Sequence, residues 1–449
     1  MDFATRKKYY NRCDPNEPLA PGDDRNVDLD EYGSARVRGV NWVEKLASRI
    51  ELSDKPVFEL FTGLKGSGKS TELKRLAVRL SDPDRAHLFT VLIDANDVVD
   101  LTNPIDIPEI IAAILQCTEA AVLKEEGKDP EQTMDEGYLT RLWSWLTRTD
   151  VELGKGEWAI PGGPKLIAEM KTRPTLRRRV RETVAAHLTT FLGEAREEMI
   201  LLNARATACG YNGLIIIFDS LEKLRGISSN WNDVLESAER IFASGAPYLR
   251  LPVHVLYTIP PALVARRFEL VQFLPMIKLK DREGSPFQPG IDAAREMVRR
   301  RVPDDVLTDL LGPDVESRVK ELILWSGGYP REIVRLLRSA FALSETPISD
   351  DDLERLIGEI RDGYRKVVPA DAFPWLARVA HEHYLTMENE GHQQSADLML
   401  QNNAVLRYMN GGDWFDLHPA VQQIPGVVAA REELAKASIT KAENGDAGD

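Results

Sequence analysis

The segment Val57-Phe-Glu-Leu-Phe61 is a short apolar run. It is followed by Gly63-Leu-Lys-Gly66-Ser67-Gly68-Lys69-Ser70 and then by Thr71-Glu-Leu-Lys-Arg-Leu-Ala-Val-Arg-Leu80, which has one apolar face at helical spacing. No other feature limits the fold as much. A strand, a glycine-rich loop and a helix in that order form a cradle for phosphate: glycine lets the backbone turn its N–H groups inward, and the helix adds its positive end. In the pattern Gly-x-x-x-x-Gly-Lys-Ser, Gly63, Gly66, Ser67 and Gly68 shape the cradle. Lys69 reaches the β- and γ-phosphates, Ser70 ligates Mg²⁺, and Thr71 sits near the α-phosphate. The expected ligand is therefore ATP with Mg²⁺.

A phosphate loop needs a carboxylate from a second strand to help hold the metal. Leu214-Ile-Ile-Ile-Phe218 is apolar throughout, as in a strand buried on both faces, and it delivers Asp219 to the end of the sheet. Leu88–Ile93 ending at Asp94, Val253–Tyr257 ending at Thr258, and Phe273–Leu279 read as further strands, with a helix near Trp231–Ser244. Strands alternating with helices predict an α/β fold, a P-loop NTPase parallel sheet. The expected organisation is an N-terminal linker segment over residues 1–50, with an amphipathic stretch from Trp42 to Ile50, and a core over 51–284 that carries a helical insertion at about 103–207. A helical lid over 285–368, a small winged-helix domain over 369–436 and a disordered tail over 437–449 follow. The winged-helix expectation rests on two helices, Pro374–Tyr384 and Ser395–Asn402, followed by strand, turn and strand. Val405–Met409 and Trp414–Leu417 flank Asn410-Gly-Gly-Asp413, a strong hairpin signal.

This order of parts resembles an AAA+ or STAND-type P-loop ATPase over roughly residues 36–366. The resemblance implies roles for further residues. Arg38-Gly39-Val40 stands where these families place an N-terminal segment against the adenine. Thr258 stands at the position of the polar sensor-1 residue. Gly327-Gly328-Tyr329-Pro330-Arg331 resembles the lead-in to the lid helix, which makes Arg331 the sensor-2 candidate. Arg266 and Arg267, ahead of the last core strand, are candidates for an arginine finger supplied to a neighbouring copy. AAA+ enzymes usually place Glu directly after the metal-linked Asp. Here the run is Asp219-Ser220-Leu221-Glu222, so Glu222 reaches the hydrolytic water only if the chain turns sharply after the strand. That departure points to slow hydrolysis and a switch.

Charge narrows the partners. The chain of 449 residues has 57 Lys plus Arg against 71 Asp plus Glu, a net charge of −14, which argues against coating DNA or an anionic membrane by bulk charge. Residues 372–420 hold two basic and six acidic side chains, a net of −4, and Ser395–Asn402 has no basic residue. Since DNA affinity comes largely from Lys and Arg neutralising phosphates, the winged helix reads as a protein contact or an autoinhibitory element. Lys171, Arg173, Arg177, Arg178, Arg179 and Arg181 form the most basic run of the chain, and it reads either as a phosphate or acidic-partner contact or as a solvated surface. His381, His383 and His392 lack a zinc spacing. Cys13, Cys117 and Cys209 are too scattered for a disulfide framework, and no secretory signal or membrane-length apolar run is visible, so the cytoplasm is expected. The resulting expectation is an ATP-binding, slowly hydrolysing switch that forms ATP-dependent homo-oligomers and controls a separate effector or subunit. Proteins resembling this layout often serve bacterial stress or anti-phage systems. The alternatives are a DNA-acting ATPase resembling origin-recognition or transposition regulators, and a non-hydrolysing nucleotide-binding scaffold.

Overall fold

A computed structural model describes the chain except residues 30–31, 33–35, 134–169, 225, 227–228, 267–270, 344–345, 410 and 446–449. Its centre is a five-stranded sheet of β1 (Phe58–Gly63), β2 (Phe89–Asp94), β3 (Leu214–Asp219), β4 (His254–Thr258) and β5 (Val271–Leu274). The strands are all parallel in the order β2-β3-β4-β1-β5. Every residue of β3 is buried, as the unbroken apolar run predicts for a strand covered on both faces. The register sets Asp94 beside Asp219 and Phe61 beside Thr258, so the polar strand ends gather at one edge of the sheet. Ligands of open α/β sheets bind at that edge.

Helices cover both faces. Among the described residues the longer helices before β5 are, in chain order, α1 (Phe3–Arg12), α2 (Trp42–Glu51), α3 (Lys69–Ser81), α4 (Ile107–Glu125), α5 (Pro174–Ala186), α6 (Leu188–Ala208) and α7 (Trp231–Phe242). α2 starts where the Asn41 side chain accepts the Glu44 N–H, and it buries Leu46, Ala47 and Ile50 against one face of the sheet beside Leu73, Leu76 and Leu80 of α3. On the other face, Asp106 caps α4, whose Ile110, Ile111 and Ile114 pack under β2 and β3 together with α6. Within the expected helical insertion, the break at Gly154–Pro164 lies outside the described residues. The basic run is largely spent inside the fold: Arg177 bonds Asp100 at 2.7 Å, Arg181 bonds Glu109 at 2.5 Å, and Lys171 donates to the Asn96 carbonyl. Burial pushes the Glu109 carboxyl up to about 7 even with Arg181 beside it.

The longer helices after β5 are α8 (Gln288–Arg299), α9 (Asp304–Leu311), α10 (Val315–Trp325), α11 (Pro330–Ala342), α12 (Asp350–Val367), α13 (Phe373–Glu382), α14 (Glu390–Gln401) and α15 (Pro425–Gly445). The expected hairpin is present as β6 (Val405–Met409) paired antiparallel with β7 (Asp413–Leu417). One apolar core runs from Cys13 of the N-terminal segment through Ile333 and Leu337 of α11 to Leu406, Trp414 and Val427. Lid, hairpin unit and N-terminal segment therefore share one packed interior.

Three expectations need correction. The last core strand is not Phe273–Leu279 but Val271–Leu274, because Pro275 has no N–H to continue the ladder. The next three donors go elsewhere: Met276 to the Arg407 carbonyl of β6, Ile277 to Gly328, and Lys278 to Val37. Those three residues thereby tie the sheet to the hairpin, the lid lead-in and the N-terminal segment. The tail expected to be disordered from 437 continues as α15 to Gly445. The first 50 residues are not only a linker, since α1 packs on α11 and the stretch after it walls the site described next. Among the described residues no helix is long and apolar enough to cross a membrane.

Candidate nucleotide site

The loop from Gly63 to Gly68 leaves β1 and enters α3 with its carbonyls held by side chains. Lys69 Nζ donates to the Gly63 and Leu64 oxygens at 2.8 and 3.1 Å. Arg38 Nη2 donates to the Ser67 oxygen at 2.6 Å, and Asn403 Nδ2 to the Lys65 oxygen at 2.9 Å. In a trans peptide the N–H points away from the C=O. Each held carbonyl therefore fixes the direction of the N–H that follows it. Gly66 and Gly68 take φ of 82° and 100°, which favours glycine. A Cβ on Gly66 would meet Arg331 Cβ at 2.7 Å and Tyr329 Cε2 at 2.8 Å, so the lid sits directly on the loop.

After β3 the chain does turn sharply. Ser220 has φ of 70°, and Leu221–Lys223 form a single 3-10 turn. Thr258 Oγ1 at the end of β4 accepts the Leu221 N–H at 2.9 Å and so fixes that turn. Glu222 consequently points back into the site, with Oε1 3.4 Å from Lys69 Nζ and Oε2 buried without a hydrogen-bond partner among the described residues. The Ser67 hydroxyl is buried and unpartnered as well. Asp219 accepts from the Ser220 N–H at 2.6 Å and also hydrogen-bonds the Ser70 hydroxyl. Burial and the neighbouring Glu222 carboxylate raise Asp219 to about 6, against the pull of Ser70 and Lys69. Although burial pushes Asp94 upward, hydrogen bonds from Asn96 and Ser220 bring it below its usual value. A glycine-bearing loop at the start of α3, a buried ammonium, and Ser70 and Asp219 beside an unsatisfied carboxylate oxygen fit a metal–triphosphate.

These groups open into a cavity of about 450 Å³ between loop and lid. Thr71 and Arg331 line it, Arg331 at present donating from Nε to the Pro15 carbonyl at 3.0 Å. Thr258 does not line it and acts through the turn. Of the expected adenine-side residues, Arg38 lines the cavity but is committed to the loop and to Glu72 at 3.1 Å. Gly39 abuts Met409 of β6 and Val40 packs beneath the sheet, and neither lines the cavity. The wall away from the phosphates is instead the strap from Pro15 to Leu29 with Met297, Arg301 and Val334, which the sequence reading missed. The strap is held by Lys74 on the Pro18 carbonyl, Arg75 on Asp28 and Arg338 on Asp14. The clustering of Pro15, Pro18 and Pro21 was its one available signal.

The finger candidate Arg266 ends a 3-10 helix, Pro261–Arg266, and is engaged within its own chain. It donates from Nη2 and Nε to Asp397 of α14 at 2.7 and 3.2 Å and also pairs with Glu239 of α7. Asp397 is 3% exposed. Arg267 lies outside the described residues. Of the histidines, His383 packs edge-on to Trp414 with Nδ1 3.1 Å from the Phe415 carbonyl, and His392 accepts the Glu388 N–H.

The strand order, the loop between β1 and α3, and the helical body that closes over it define an α/β P-loop nucleotide-binding fold with a helical C-terminal region. No protein-family model matches the chain, and no curated protein does. Among solved structures it is similar to the ORC2 protein of Aeropyrum pernix in ADPNP–ADP complexes, at 13% identity and TM-score 0.37, covering 92% of this chain and 99% of that one. It is also similar to Drosophila ORC bound to DNA, at 10% identity and TM-score 0.37 over 96% and 93%. A third is Cdc6p from Pyrobaculum aerophilum, at 10% identity and TM-score 0.29 over 91% and 98%. These likenesses carry no argument about function, and the fold assignment rests on the strand order and the loop.

Proposed function

We propose that the chain binds Mg–ATP and hydrolyses it slowly, as a regulatory switch that controls a separate protein effector or companion subunit. The observation that carries this reading is the Lys69–Glu222 pair at 3.4 Å, both side chains buried at the mouth of the cavity. An incoming triphosphate competes with Glu222 for the ammonium. Once displaced, Glu222 is the carboxylate in position to orient a water toward the γ-phosphate. Turnover is slow because the same group first has to be released. Ser70 and Asp219 would hold Mg²⁺, whose charge offsets that of the phosphate oxygens. Arg331 would reach the phosphates from the lid after leaving Pro15.

In this arrangement Arg266 is occupied by Asp397, which favours a self-contained switch over one that waits for a trans arginine; ATP-dependent assembly then requires α14 to let go. The same packing favours a protein partner over DNA, because α14 has no basic residue and lies against the Pro261–Arg266 segment. The resemblance implies bacterial stress or anti-phage defence as the setting. A second reading, a scaffold that holds nucleotide without hydrolysis, follows if the Lys69–Glu222 pair persists with ATP bound, and is tested by whether bound ATP stays intact over hours. The primary test is titration of Mg–ATP into wild type and Lys69→Ala. The variant should lose 100-fold or more in affinity, since each charge-assisted contact contributes roughly 1.5–3 kcal/mol. Equal affinity rejects the assignment.

A further inference from the structure

Asn403 donates to the phosphate loop from the far end of the chain. It lies two residues beyond α14, in the short link to β6. Its φ of 56° is left-handed, a conformation asparagine tolerates better than most side chains. Neighbouring backbone bonds fix it there: its own N–H reaches the Leu400 carbonyl at 3.3 Å, and Ala404 N–H reaches Met399 at 2.9 Å. The side chain is 5% exposed, and its amide nitrogen donates to the Lys65 carbonyl at 2.9 Å across 338 residues of sequence. Its Oδ1 is buried without a partner among the described residues. A buried amide that leaves one end unsatisfied costs stability, so the bond at the other end is worth explaining.

We propose that Asn403 is a positioning residue for phosphate binding, holding the Lys65–Gly66 peptide so that the Gly66 N–H faces the nucleotide. This inference rests on the nucleotide reading above. The other fastened carbonyls are held from within the nucleotide core or the segment just before it: Gly63 and Leu64 by Lys69, Ser67 by Arg38. Lys65 precedes Gly66, and a glycine with left-handed φ leaves that peptide free to flip unless it is held. A flipped peptide presents a carbonyl oxygen to the phosphates in place of a donor. The loop therefore reaches its anion-binding form only while the α14–hairpin unit is seated. The Arg266–Asp397 pair holds the same helix four residues before its C-terminal end. By reciprocity, ATP should seat α14 as firmly as α14 favours ATP.

The test compares wild type with Asn403→Gly and Asn403→Asp. Glycine keeps the left-handed backbone without strain and deletes only the amide. Aspartate is isosteric but sets a carboxylate against the Lys65 carbonyl. Calorimetric titration should show Mg–ATP bound 3- to 10-fold more weakly by Asn403→Gly and more weakly still by Asn403→Asp. Adenosine, which has no phosphate, should bind all three equally. Hydrogen exchange on the full chain provides a readout that needs no variant: Mg–ATP should slow exchange in residues 396–409 of the wild type. Unchanged ATP affinity in both variants, or an equal loss for ATP and adenosine, overturns the inference while leaving the nucleotide reading intact. Unchanged exchange in residues 396–409 overturns it even if a variant fails to fold. Failure of the wild type to bind ATP removes the nucleotide reading and this inference together.

Discussion

The two walls of the cavity are built on different principles. The phosphate wall is backbone: loop carbonyls held in place, two glycines with positive φ, and strand ends placed by the register of a parallel sheet. The opposite wall is a strap and a lid held mostly by long side chains reaching distant carbonyls and carboxylates, such as Arg331 to Pro15, Arg338 to Asp14 and Lys74 to Pro18. A wall made of backbone is the more rigid of the two. A wall made of arginine contacts can exchange one oxygen for another, and a phosphate would offer the better one. Under the proposed function the first wall would carry affinity and chemistry, and the second the response.

Four substitutions break or sharpen that contrast. Glu222→Gln, on the phosphate wall, should keep or tighten ATP binding while turnover falls about 10²-fold, the usual scale for losing a general base; steady-state kinetics beside an ATP titration shows whether the two separate. Arg266→Ala, at the outer edge of the responding body, leaves Asp397 buried without its cation. A loss of about 2 kcal/mol is expected, less than for a fully enclosed pair because Arg266 keeps some water. The melting temperature should drop equally at every protein concentration, whereas an arginine serving a neighbouring copy would show a turnover loss that depends on concentration. Arg331→Ala removes both the strap contact and the lid's reach to phosphate. ATP affinity should fall about 10-fold, regardless of protein concentration, as expected for about 1.4 kcal/mol from one charge-assisted bond.

The smallest effect concerns pH. His418 is fully buried, stacked on Tyr364 of α12 at 4.3 Å, and burial with Arg335 nearby lowers it to about 3. Its folded value lies below the ordinary 6.5, so the unfolded chain takes up the proton first as pH falls. Stability is full above 6.5 and declines as pH drops toward 3. The loss is about 0.8 kcal/mol at pH 6. His418→Asn, which can still accept the Ala420 N–H, should flatten that slope in denaturant titrations at pH 6 and 8 without altering ATP affinity at pH 8.

The same contrast explains what could be read from the sequence. Lys69, Ser70, Asp219 and the strand ends were legible because each lies within a few residues of the apolar run that places it. Glu222 required the Ser220 turn, which no residue type announces, since serine rarely takes a φ of 70°. Arg38 was noticed for a base contact, yet its partners are the Ser67 carbonyl and Glu72. The strap and Asn403 were illegible because a side chain reaching a carbonyl hundreds of residues away leaves no periodicity behind. Strand β5 was placed near its position but given too long a run, since an apolar stretch records burial and not which donors are in a ladder.

The packed interior shared by the lid, the hairpin and the N-terminal segment has a mechanical consequence. Because α11, the hairpin and Val427 of α15 belong to one close-packed cluster, the lid has no hinge of its own against the C-terminal unit, and close-packed interiors transmit displacement with little compliance. A movement of α11 toward a bound phosphate would carry the hairpin and α15 with it, around the bonds of Met276, Ile277 and Lys278 at the sheet edge. α15 packs along α13, with Leu434 and Ala435 still lining a cavity shared with Ala377 and His381, before it runs on to Gly445. Under the proposed function, the helix that ends the described residues would register a shift at the phosphate as a displacement of the whole body.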